Sequence, residues 1–224
     1  MLKAIIFDFD GVLADTEPLH LKMFQRVLQA EGLPLSDRDY YEKYVGFDDK
    51  GCFQAILAEH GRPVSPETVR QLVERKAAMM LEAITRTSVM YPGVTEFVKD
   101  VAGRYRLAVG SGALRHEIEL ILETAGLRRN FEHITAAEDV REGKPAPEGY
   151  LHVLRSLNRR APLVASECLV IEDTIFGIQA AHAAGMRCLA VSTTFPADQL
   201  ATADAVTGTL KDYNLDALAR RFWS

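Results

Sequence analysis

The sequence predicts an α/β fold, a doubly wound parallel sheet whose first crossover carries an inserted all-helical block. Three observations predict it. Short apolar runs recur at Ala4–Phe7, 107–109, 134–136, 168–171 and Arg187–Val191, each leading into helical periodicity, the alternation that builds a parallel sheet. The first and fourth runs end in acids, Asp8 and Asp10, then Glu172 and Asp173, where an open α/β sheet places its ligands. Between the first and second runs lies a strandless interval of about seventy residues, far longer than a crossover needs.

The core helices are expected near 95–102, 114–125, 148–157 and 175–184. Ala125-Gly126-Leu127 and Ala184-Gly185-Met186 read as helix C-caps. Within the long interval, Leu19, Met23, Val27 and Leu28 form one helical stripe, and Phe53, Ile56 and Leu57 another. Val69, Leu72, Val73 and Lys76 form a third after Ser65-Pro66-Glu67, with serine at the N-cap and proline at the first helical position. The expected domains are a core of residues 1–14 and 86–224 and a helical domain of 15–85.

Composition narrows the class. At 48% hydrophobic and 25% charged residues, the chain reads as an ordinary soluble globular protein with a sizeable core. A formal net charge of -5 argues against a general nucleic-acid surface, so an anionic substrate must be met locally. Cys168 and Cys188 sit inside apolar runs and, with Cys52, form no close pair; they read as core residues of a protein kept in a reducing cytoplasm. No basic stretch and apolar signal core open the sequence, and no apolar run approaches the roughly 18 residues of a membrane span. The expectation is a cytoplasmic protein without nucleic-acid or membrane partners. The sequence carries no usable interface signal and is compatible with a monomer.

Four strand ends carry chemistry. Asp8 and Asp10 close an apolar strand and precede a glycine. Two acids there cost desolvation unless a cation offsets them, and a hard divalent ion such as Mg²⁺ is the simplest candidate. A carboxylate can attack phosphorus and form an aspartyl-phosphate, while a second acid protonates the leaving oxygen and later activates water. The competing reading makes the acids a turn cap or an ion pair. Gly110-Ser111-Gly112 leads into a helix, and a serine hydroxyl with helix N-terminal amides suits phosphate oxygens; the same tripeptide is also a common turn. Gly143-Lys144-Pro145-Ala146-Pro147 holds a lysine at the mouth of a helix, where its ammonium can neutralise nucleophile and phosphate or simply face solvent. Glu172 and Asp173 repeat the acidic strand end and supply oxygens for a metal, although Asp173 alone would also serve as an N-cap.

In this order the motifs Asp-x-Asp-Gly-Val-Leu-x-Asp-Thr, Ser-Gly-Ala, Gly-Lys-Pro-x-Pro and Glu-Asp-Thr-x-x-Gly-Ile-x-Ala-Ala-x-x-Ala-Gly-Met resemble the haloacid dehalogenase-like (HAD) hydrolase superfamily over nearly the whole chain. The resemblance implies a Rossmann-like core with Asp8 as nucleophile and Asp10 as general acid and base. It implies Ser111, Gly112 and Lys144 on the phosphate, and Mg²⁺ held by the Asp8 carboxylate, the Asp10 carbonyl and Asp173, with Glu172 assisting. The insertion resembles the mobile cap of the branch containing β-phosphoglucomutase and many small phosphatases, with His20 and Lys50 as cap residues for substrate.

Within that branch, Asp10 and the Glu172-Asp173 pair argue against dehalogenation, which the resemblance associates with loss of the second acid and of the metal. His20 fits both phosphatases and phosphomutases. Where the mutase pattern has Lys-Gly and then arginine, this chain has Val45-Gly46 and Asp49, which removes two cations and adds an acid that would repel a second phosphate. The expected activity is a Mg²⁺-dependent phosphatase acting on a small-molecule phosphate ester, a sugar or polyol phosphate, through an aspartyl-phosphate. The alternatives are a phosphomutase and a non-catalytic binding protein on the same fold.

Overall fold

The computed structural model describes residues 1–224 except Val45, Gly46, Asp48, Thr87 and Ser224. The Val45-Gly46 departure from the mutase pattern therefore lies outside the described residues. The chain divides into two compact units, one of Met1–Asp15 with Ser88–Ser224 and one of Thr16–Thr87.

Strand β1 (Ala4–Phe7) belongs to the first unit. The second unit follows as α1 (Glu17–Ala30), the short α2 (Asp37–Asp39) running into a π turn at Tyr40–Tyr44, α3 (Asp49–Glu59) and α4 (Pro66–Arg86). The apolar stripes of these helices close a core of their own, with Phe24 against Phe53 at 4.9 Å between ring centroids and Tyr40 at 5.7 Å. Ser65 caps α4 by accepting a hydrogen bond from the Thr68 amide at 3.0 Å, as Ser-Pro-Glu predicts. Lys76 lies on the buried face of α4 with Val69, Leu72, Met80 and Ile84, so a cation sits inside this helical core.

The first unit continues as α5 (Val94–Ala102), β2 (Arg106–Gly110), α6 (Arg115–Thr124), β3 (Phe131–Thr135), α7 (Glu148–Asn158), β4 (Cys168–Glu172), α8 (Ile175–Ala183), β5 (Arg187–Val191), β6 (Ala205–Thr207) and α9 (Leu215–Trp223). The six strands pair in the order β3-β2-β1-β4-β5-β6, every pair parallel. Alternate residues of β1 face opposite layers: Ala4 and Ile6 pack into the core that includes α7 and α8, whereas Phe7 stacks edge-on against Phe97 of α5 and Phe131. Helices thus cover both faces, which explains why the central strands read as unbroken apolar runs. Cys168 and Cys188 lie in this core, and all three cysteines are buried and free.

Helices α6 and α8 end as the sequence predicts. Gly126 and Gly185 have φ of +69° and +76°, and the next amides, of Leu127 and Met186, donate back to the carbonyls of Leu122 and Ala181, closing Schellman caps. Several elements escape the sequence reading, the short α2 and the π turn after it among them. Strand β6 is three partly exposed residues without an apolar run, and α9 is held by a narrow stripe, Leu215 and Leu218. Among the described residues, no helix is long and apolar enough to cross a membrane.

Candidate active site

Because β1 is flanked by β2 and β4, the carboxyl ends of three neighbouring strands bring Asp8, Ser111, Glu172 and Asp173 to one rim of the sheet. The Asp8 amide donates to the Ile171 carbonyl at 2.9 Å, continuing the β1–β4 ladder by one residue past β1. The chain then tightens into a turn in which the Leu13 and Ala14 amides donate to the Phe9 carbonyl. Asp10 sits in this turn, partly buried. Gly11 has φ +76°, and a Cβ there would lie 1.9 Å from Asp173 Oδ2; glycine is required both by the left-handed backbone and by the approach of Asp173.

Asp8, Glu172 and Asp173 are all buried, and each offers a carboxylate oxygen within 4.8 Å of the others. Lys144 Nζ lies 2.7 Å from Asp8 Oδ1 and 2.5 Å from Glu172 Oε1. The solvated alternative for this lysine is thereby replaced by a double ion pair. Glu172 is held on both oxygens: Oε1 also accepts from the Tyr150 hydroxyl at 3.1 Å, and Oε2 accepts from the Asp173 and Thr174 amides and the Thr174 hydroxyl at 2.7, 2.8 and 3.0 Å. The N-cap of α8 is Thr174, whose hydroxyl accepts from the Gly177 amide at 3.0 Å, so Asp173 is left to face the site. Thr194 donates to Asp173 Oδ2.

Three carboxylates facing one ammonium carry excess negative charge, and the titration of the cluster reflects it. Burial pushes the Asp8 carboxyl up to about 7, Lys144 opposing and Glu172 reinforcing the rise. Burial, then the charge of Asp8, pushes Asp173 up to about 8. For Glu172 burial acts upward too, yet the Lys144 ammonium and the hydrogen bonds hold it below the ordinary carboxylate range. Among the described residues, Asp173 Oδ1 is buried without a hydrogen-bond partner, whereas Asp8 Oδ1 is met by the Lys144 ammonium. An orphaned hard oxygen in an over-acidic cluster fits a divalent cation such as Mg²⁺.

Ser111 is buried beside this cluster. Its amide donates to the Thr135 carbonyl at 3.0 Å, and its Oγ accepts from the Ala113 amide at 3.1 Å. With Gly112, Lys144 and Tyr150 it lines a cavity of about 190 Å³.

The helical unit holds a second polar cluster. Lys76, fully buried, reaches Asp49 Oδ1 at 2.5 Å and His20 Nδ1 at 2.8 Å, with its ammonium 4.4 Å from the Phe24 ring centroid. Burial first, then the Lys76 charge, lowers His20 to about 3, so the imidazole is neutral and accepts from Lys76 at Nδ1. Lys50 is exposed. Phe24 and Tyr44 belong to the core of the helical unit, whereas Phe47 is exposed.

Sequence reasoning missed the roles of Tyr150, Thr194 and Lys76. A lysine inside the apolar stripe of α4 was the available signal for Lys76, since a buried ammonium requires an acid. Tyr150 and Thr194 stand out only once folding brings helix α7 and the loop after β5 to the end of β4.

Residues 5–191 match the haloacid dehalogenase-like hydrolase family, and the chain belongs to that family. The chain is 34% identical over 183 residues to the fructose-1-phosphate phosphatase YqaB of Escherichia coli, an alignment covering 81% of this chain and 92% of the relative. It is 30% identical to a phosphorylated carbohydrates phosphatase of Thermotoga maritima, covering 83% and 82% of the two chains. Among solved structures, CbbY from Rhodobacter sphaeroides in complex with phosphate superposes with a TM-score of 0.81 at 25% identity over 95% of this chain and 96% of that one.

Proposed function

We propose that this hydrolase is a Mg²⁺-dependent phosphatase that cleaves a small phosphorylated metabolite, a sugar or polyol phosphate, through an aspartyl-phosphate on Asp8. The observation that carries the reading is the buried cluster of Asp8, Glu172 and Asp173 around the Lys144 ammonium, with Asp173 Oδ1 left without a partner. Asp8 attacks phosphorus, the ester oxygen leaves with a proton from Asp10, and Asp10 then takes a proton from the water that attacks the aspartyl-phosphate. Lys144, the Ser111 hydroxyl and the Gly112 amide bind the phosphoryl oxygens. Asp8, the Asp10 carbonyl and Asp173 would hold Mg²⁺, which supplies charge neutralisation between nucleophile and phosphate.

Water rather than a second sugar phosphate is favoured as acceptor by Asp49, an acid where the mutase pattern has arginine, and its ion pair with Lys76 leaves neither residue to hold a second phosphate. The names of the Escherichia coli and Thermotoga maritima relatives support the same reading. We assign choice of leaving group to the helical unit, with His20 and Lys50 the first residues to substitute.

The test is phosphate release from a panel of sugar and polyol phosphates with Mg²⁺, beside Asp8→Asn. Release from at least one ester, abolished in the variant and by chelator, is expected. Silence across the panel, or undiminished release by Asp8→Asn, overturns the reading. Isomerisation of a hexose phosphate without phosphate release would show a mutase instead.

A further inference from the structure

Tyr150, from the first turn of α7, is fully buried at 2% exposure. A phenol in a core needs a partner for its hydroxyl, and Tyr150 finds one in Glu172 Oε1 at 3.1 Å. Its ring centroid lies 5.4 Å from Lys144 Nζ, within cation–π range. The ring is held in turn by Gly110, where a Cβ would approach it to 3.2 Å. Glu172 therefore takes five donors, about one more than the lone-pair positions of a carboxylate: Lys144 and Tyr150 on Oε1, two amides and a hydroxyl on Oε2. Every degree of freedom of this carboxylate is used, and the mobile member of the set is the lysine side chain, which could otherwise swing away from Asp8.

We propose that Tyr150 is a positioning residue: through its hydrogen bond to Glu172 and the face of its ring, it holds the Lys144 ammonium on Asp8 Oδ1, where the phosphoryl group must be neutralised. The inference rests on the proposed phosphatase reading, and it gives Glu172 the role of anchor for Lys144. A phenylalanine would fill the same space and leave Glu172 Oε1 with Lys144 alone. The lysine would then sample positions away from the nucleophile, weakening both phosphate binding and turnover.

The experiment uses the full chain with Mg²⁺ and measures inorganic phosphate binding by calorimetry, turnover of the best ester, and thermal melting. The proteins are wild type, Tyr150→Phe, Glu172→Gln and the double variant. Because the lost hydrogen bond acts on Lys144 only through Glu172, Tyr150→Phe should weaken phosphate binding and lower kcat by about three- to tenfold each, less than loss of a direct contact to a charged group. The double variant should lose no more phosphate affinity than Glu172→Gln alone, because both changes break one chain of contacts. Wild-type phosphate affinity and kcat in Tyr150→Phe overturn the proposal, as do losses that multiply in the double variant. Should Tyr150→Phe not fold, Gly110→Ala, which pushes the ring without removing its hydroxyl, must show the same paired loss, and unchanged binding and turnover there overturn it. A wild-type protein that binds no phosphate would instead overturn the phosphatase reading itself.

Discussion

At the scale of single residues, the reaction centre is defined by which oxygens are satisfied and which are not. Asp173 keeps a buried oxygen without a hydrogen bond, whereas Glu172 has none to spare. Asp173→Asn should therefore raise the Mg²⁺ concentration for half-maximal activity at least tenfold while leaving the fold intact, measured by metal titration of turnover beside circular dichroism. Gly177 tests the packing of the same acid. A Cβ at that position would lie 1.7 Å from Glu172 Oε1, in a carboxylate already fixed by five donors. Gly177→Ala should lose roughly 1–3 kcal/mol or more of stability, seen as a lowered urea midpoint; an unchanged midpoint would mean that Glu172 can move.

At the scale of elements, the helices of the second unit enclose an ion pair that their amphipathic stripes do not require. Replacing Asp49 by asparagine leaves the Lys76 ammonium buried without its acid, a loss of about 3 kcal/mol that denaturant unfolding would read. Lys76→Met, which removes the charge and keeps the volume, should be far milder. His20 adds a pH dependence of definite sign. Its folded value of about 3 lies below the ordinary 6.5, so below pH 6.5 the unfolded chain binds a proton that the folded chain does not. This contribution is intact above pH 6.5 and is lost as pH falls from 6.5 towards 3, by about 1.4 kcal/mol per pH unit. Lys76 contacts His20 and pairs with Asp49, so the clean measurement is the difference between wild type and His20→Asn. Between pH 7 and pH 5 the wild type should lose about 2 kcal/mol more than the variant.

At the scale of the whole molecule, legibility followed burial. Strands β1, β2, β4 and β5 are covered on both faces, so they read as apolar runs, and the acids that end β1 and β4 stood out against them. The same logic made Ser65 and the glycines after α6 and α8 readable, because caps are local chemistry. Strand β6 was invisible since its three residues are half-exposed at a sheet edge and bear no pattern. Partnerships such as Tyr150 with Glu172 or Thr194 with Asp173 join residues about twenty apart in sequence by tertiary packing alone, and no spacing rule announces them. The net charge of -5 coexists with an anionic substrate in the proposed function because neutralisation is local, at Lys144 and the metal.

The order of the strands has a consequence for how the protein is made. Strand β1 leaves the ribosome first, yet its ladder partner β4 pairs Ala4 with Cys168 and Phe7 with Ile171, so the central seam cannot close until about three-quarters of the chain has emerged. During all of that synthesis Asp8, the proposed nucleophile, lacks Glu172, Asp173 and the Ile171 carbonyl that accepts its amide. A nascent or truncated chain ending before Cys168 should be inert and should hold an unpaired apolar strand edge, a species for chaperones rather than for catalysis. Ribosome-arrested chains of increasing length would show protease protection of β1 only once β4 has cleared the exit tunnel. Reactivity towards phosphate esters is in this way withheld until β4 has emerged.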